Sequence, residues 1–129
     1  MSANPVTWFE IYVKDIQRAK SFYEKTLGTK LEKLETPAEA VVEMWSFPMG
    51  KDSYGSTGAL VKMNGEGSPA GGGGGTVVYF ECDDCAVEAG RARTNGGKVA
   101  KDKFAIGQHG FIVLATDTEG NMFGLHSMK

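Results

Sequence analysis

The chain has 129 residues, 41% hydrophobic and 23% charged, with a formal net charge of −2 at neutral pH. That length supports a single domain with its own core, and the charge balance argues against nucleic acid or an anionic membrane as a partner. Two cysteines do not make a disulfide framework, and the longest apolar stretch, about Phe111 to Ala115, is far short of a membrane span.

Residues 1–5 carry neither the charged nor the apolar region of a secretion signal, so a cytoplasmic protein is expected. Trp8 to Val13 then reads as a strand. Phe9, Ile11 and Val13 form its apolar face, and Trp8, Glu10 and Tyr12 lie on the other. Asp15 is placed to cap a helix with an apolar stripe of Ile16, Ala19, Tyr23 and Leu27, widened by Phe22. Gly28 suits the left-handed position beyond its last turn. Three strands are predicted next, at 30–35, 40–47 and 57–63, separated by turn-prone residues. Residues 64–75 hold seven glycines and one proline and read as a flexible connection, with a lid over a pocket as the alternative. A phosphate-cradling loop would need a helix directly after the glycines, whereas a strand follows.

The second half repeats the first at an offset of 69 residues. Val77 to Cys82 is a strand with Val78, Phe80 and Cys82 on one face. A helix runs from Asp84 to about Arg93, and Gly97 stands where Gly28 stood. An offset of 68 would place Glu10 over Val78 and scramble the faces, because a one-residue slip inverts every side chain. Strands are predicted at 98–104, 110–116 and 122–128, the last two joined by the turn-forming Asp117-Thr118-Glu119-Gly120-Asn121.

The order βαβββ–βαβββ resembles the vicinal oxygen chelate superfamily: glyoxalase I, bleomycin-resistance proteins and extradiol dioxygenases. The likeness rests on Trp8 through Asp15, Arg18-Ala19, Phe22-Tyr23, Leu27-Gly28, Asn95-Gly96-Gly97 and Asp117 through His126. It is similar above all to small single-domain, glyoxalase-related proteins. The resemblance implies one α+β domain, 1–129, with modules 6–63 and 76–128 joined by 64–75. Paired curved mixed sheets would enclose a cavity for a small molecule, and a homodimer is implied. Metal-dependent relatives hold a divalent cation on four strands. Carried over, the ligand positions fall at Trp8, Val77, Gly124 and near Ala59, none of which offers a lone pair. No cofactor is therefore expected, and glyoxalase I chemistry does not transfer directly.

Glu10, Tyr79 and His126 each lie two residues beyond an absent ligand position, with Tyr12 and Glu81 two further on. Glu10 is the candidate general base and His126 its partner. Trp8, Tyr12, Val77, Tyr79, Glu81, Met122 and Gly124 are candidate substrate-binding residues. A divalent metal displaced onto Glu10 and His126 is an alternative. So is a purely structural role, with Glu10 and Glu81 at a wet rim and His126 capping the last strand. Antiparallel neighbours are expected, and a two-residue step would then separate these side chains. His109 reads as an exposed loop residue. Cys82-Asp83-Asp84-Cys85 reads as core, since the repeat sets Cys82 and Cys85 against Val13 and Ile16. The function expected is binding of a small organic molecule, with a proton-transfer lyase or isomerase reaction. The alternatives are sequestration without catalysis, as in bleomycin resistance, and a metal-dependent dioxygenase.

Overall fold

A computed structural model describes residues 4–36, 42–49, 55–63 and 75–129. The elements run β1 (Val6–Tyr12), α1 (Ile16–Leu27), β2 (Glu32–Lys33), β3 (Val42–Ser46), β4 (Thr57–Met63), β5 (Gly75–Glu81), α2 (Cys85–Thr94), β6 (Lys98–Ala105), β7 (Phe111–Thr116) and β8 (Met122–Ser127). This is βαβββ written twice, the α+β order read from the sequence. A short 3-10 turn, Gly107–His109, precedes β7. No helix among the described residues is long and apolar enough to cross a membrane. The chain divides into two compact units: residues 9–76, and residues 1–8 together with 77–129. β1 therefore begins in one unit and ends in the other.

In the 9–76 unit the strand order is β2-β3-β4-β1. β3 and β4 are antiparallel, with Met44 opposite Val61 and Trp45 opposite Leu60. Ile16, Leu31 and Leu60 form the buried core, with Ile11, Val13, Ala19, Tyr23, Trp45 and Phe47 packed on it. Because strand side chains alternate, the same packing turns Glu10 and Tyr12 away from α1. Asp15 accepts a hydrogen bond from the Arg18 amide, and Gly28 takes the left-handed conformation at φ 65°. The apolar stripe is shorter than predicted: Phe22 and Leu27 are exposed. Leu31, just past the Gly28 reversal, fills the core in the place expected of Leu27. The strand predicted at 30–35 contracts to Glu32–Lys33, paired only with β3 in the order above. Residues 40–41, at the start of the next predicted strand, lie outside the described residues.

In the other unit the order is β5-β8-β7-β6. β5 and β8 are parallel, whereas β8–β7 and β7–β6 are antiparallel, so the strands form a mixed set. Cys85, Ala89, Val113 and Leu125 form the core, with Phe80, Cys82, Val99, Phe111 and Phe123 against it. Asp84 caps α2 by accepting from the Ala86 amide. The predicted equivalence of Gly97 with Gly28 fails by one residue. α2 has 10 residues against 12 in α1, and it is Gly96 that adopts a positive φ, 97°. Gly97 is needed for a different reason: a Cβ there would sit 2.7 Å from the Thr116 carbonyl oxygen. Gly75 belongs to β5 and not to the predicted connection, whose residues 64–74 lie outside the described residues.

Candidate functional site

Strand alternation sorts the candidate residues of the 77–129 unit onto one face. Phe80, Cys82, Phe123 and Leu125 pack toward α2. Val77, Tyr79 and Glu81 of β5, and Met122, Gly124 and His126 of β8, therefore point the other way. Ile112, Leu114 and Thr116 of β7 stand opposite His126, Gly124 and Met122 in register. Val77 and Tyr79 are buried, although α2 packs on the opposite face. Met122 is half-buried, as is Trp8, which belongs to the same unit through the start of β1.

The antiparallel relation expected of these strands is corrected here. β5 and β8 run parallel, with Tyr79 level with Gly124 and Glu81 level with His126. A two-residue step along both strands therefore carries the side chains together. His126 Nδ1 lies 2.8 Å from Glu81 Oε1, and its Nε2 lies 2.6 Å from the His109 carbonyl oxygen. The His109 side chain is exposed, so this residue meets the site through its backbone.

The Tyr79 ring covers Gly124. A Cβ at 124 would lie 2.2 Å from the ring's Cδ2 and 2.3 Å from its Cε2. This bears on the cation implied by the resemblance. Indole at 8, isopropyl at 77 and methyl at 59 supply no ligand, and at 124 a ring fills the space a ligand side chain would enter. Among the described residues no group of three or more His, Cys, Asp or Glu is arranged to hold a metal ion. The residues present do not fit the group.

Glu10 belongs to the 9–76 unit. Its carboxyl is buried, and the buried Tyr12 hydroxyl donates to its Oε1 at 2.5 Å. The rim position considered for Glu10 thus gives way to a buried one, while Glu81 keeps 42% of its side chain exposed. The strand period explains the Glu10–Tyr12 contact, since residues two apart share a face.

The cysteines behave as core. Burial, followed by the nearby Glu88, pushes the Cys82 thiol up to about 12, and Cys85 is fully buried with its amide donating to Ser127 Oγ. A hydrogen bond from Lys103, seconded by the Ala86 amide, holds Asp84 below the usual carboxylate range. The sequence reading missed the contact of His126 with the His109 carbonyl and the stacking of Tyr79 on Gly124. The glycine was the available signal for the second, because an interior strand glycine often marks a close approach.

A model of the Glyoxalase/Bleomycin resistance protein/Dioxygenase superfamily matches residues 6–125. A glyoxylase-like domain-containing protein from Didymella fabae is 29% identical over 120 residues, covering 90% of this chain and 88% of the relative. Among solved structures, the methylmalonyl-CoA epimerase of Streptomyces coelicolor aligns with a TM-score of 0.69 at 23% identity, covering 98% of this chain and 95% of the other. A hypothetical protein from Bacillus halodurans aligns with a TM-score of 0.74 at 17% identity, covering 99% and 96%. At such identities the structural likenesses speak to the fold alone.

Proposed function

Because the chain belongs to the glyoxalase/bleomycin resistance protein/dioxygenase superfamily, we propose that it binds a small organic molecule and moves a proton on it without a metal. The observation that carries this reading is the Glu10–Tyr12 pair. A carboxyl buried on a strand face turned from the helix, hydrogen-bonded at 2.5 Å, is held in one orientation. An oriented carboxylate shielded from water suits abstraction of a proton from a carbon acid, and the phenol fixes the oxygen lone pairs that would do so. The reaction class is lyase or isomerase.

Within the other unit, taken by itself, Val77, Tyr79, Met122 and Trp8 are proposed as apolar and aromatic binding surface, with Glu81 as a polar edge. His126 has both ring nitrogens engaged, by Glu81 and by the His109 carbonyl. For His126 to give or take a proton, one of those contacts would have to open. A homodimer remains part of this proposal through the resemblance alone, and a cytoplasmic location as the expectation drawn from the sequence.

The test uses two carbon acids: the glutathione hemithioacetal of methylglyoxal, and methylmalonyl-CoA, which a fold neighbour is named as binding. Binding is read from tryptophan fluorescence and proton transfer from deuterium uptake in heavy water. Uptake by the wild type, with Glu10→Gln still binding but not exchanging, supports the proposal. Binding without uptake makes the protein a sequestering one. Uptake that survives Glu10→Gln removes Glu10 from the role of base.

A further inference from the structure

We infer that His126 is a proton-dependent latch, holding the turn at 107–110 against the β5–β8 pair only while it shares an extra proton with Glu81. His126 Nδ1 faces the Glu81 carboxylate at 2.8 Å, and Nε2 faces the His109 carbonyl oxygen at 2.6 Å. An ionised carboxylate and a peptide carbonyl only accept hydrogen bonds, whereas a neutral imidazole has a single N–H. Both contacts therefore need the doubly protonated ring. Placing the proton on the Glu81 oxygen leaves the count unchanged, because the pair still holds one proton between Nδ1 and Oε1.

The turn gripped in this way is packed closely onto β8. Gly110 has φ 97°, and a Cβ there would lie 2.4 Å from the Ser127 carbonyl oxygen and 3.2 Å from His126 Nε2. The Ile106 amide donates to the Gly110 carbonyl at 2.8 Å and closes the turn on itself. Among the described residues, Glu81 from β5 bonds the ring through its carboxylate and His109 from the turn through its backbone carbonyl, and Ile112 from β7 stands opposite it. When the shared proton leaves, one contact fails. The remaining N–H stays with the carboxylate, since a charge-assisted bond outweighs one to a neutral carbonyl. The bond to His109 is the one lost, and the turn is released.

The test is amide hydrogen exchange of residues 107–110 at about pH 5.5 and about pH 8.5, corrected for intrinsic exchange, alongside nitrogen NMR of the His126 ring. The wild type is expected to show two protonated ring nitrogens at the lower pH and one at the higher. Protection of the turn should fall by about tenfold between them. In Glu81→Gln the amide can donate to Nδ1, so a neutral ring keeps its Nε2–H on the His109 carbonyl. The turn of this variant should stay protected at both pH values. A wild-type ring with a single proton at the lower pH overturns the inference, as does turn protection indifferent to pH. A Glu81→Gln response equal to that of the wild type would do the same. The ring spectrum of the wild type decides the matter even if the variant folds poorly.

Discussion

Gly124→Ala adds one methyl group where the Tyr79 ring already stands. The new carbon would lie 2.2, 2.3 and 2.9 Å from three ring atoms, all far inside van der Waals contact. Tyr79 is 6% exposed, so its ring has little room to swing away. Overpacking of this kind costs about 3 kcal/mol at the upper end of its usual range. Replacing an interior strand glycine by alanine returns about 1 kcal/mol of backbone entropy. The net expectation is a loss of about 2 kcal/mol. Urea denaturation of the wild type, Gly124→Ala, Tyr79→Leu and the double variant gives both the cost and its origin. The double variant should be more stable than the sum of the single losses, since the clash needs both partners. An additive cycle, or a Gly124→Ala protein as stable as the wild type, would refute the claim that the ring occupies the space at 124.

Asp84 is held below its ordinary value of 3.8, first by Lys103 and then by the Ala86 amide. A lowered carboxylate contributes stability above its unfolded-state value and loses it as pH falls through the folded-state value. Lys103→Met should therefore be less stable than the wild type near neutrality, and the gap should narrow in acid denaturation curves below about pH 4. A gap constant with pH would separate Lys103 from Asp84. Cys82, raised from 9.0 to about 12, should alkylate with iodoacetamide about a thousandfold more slowly than a free thiol until the protein is unfolded in urea. Labelling at the rate of a free thiol would contradict its burial. Asp15→Ala removes the cap on the Arg18 amide and should cost about 1 kcal/mol in thermal or urea unfolding. An unchanged stability would mean that water replaces the cap.

Periodicity and capping made the secondary structure legible. The two aspartates at an offset of 69 both cap helices. Ile11 and Val13, with Phe9 against Phe47, and Phe80 and Cys82 pack where alternation places them. What depended on neighbours in space was less visible. Leu27 has the right helical angle yet is exposed, because Leu31 reaches the core instead. Gly97 matches Gly28 by count, but the shorter α2 moves the left-handed position to Gly96. The candidate site divided in the same way. Which residues share a face followed from strand parity, whereas the Glu81–His126 contact followed from the parallel pairing of β5 with β8. Local pattern carries no direction for strands 45 residues apart. The grip of His126 on a backbone carbonyl left no trace in residue type.

Proton transfer without a metal is the claim tested most directly by deuterium uptake into a bound carbon acid after exhaustive treatment with a chelator. Uptake is expected to be unchanged by chelation and absent in Glu10→Gln. Uptake abolished by the chelator and restored by a divalent cation would contradict it.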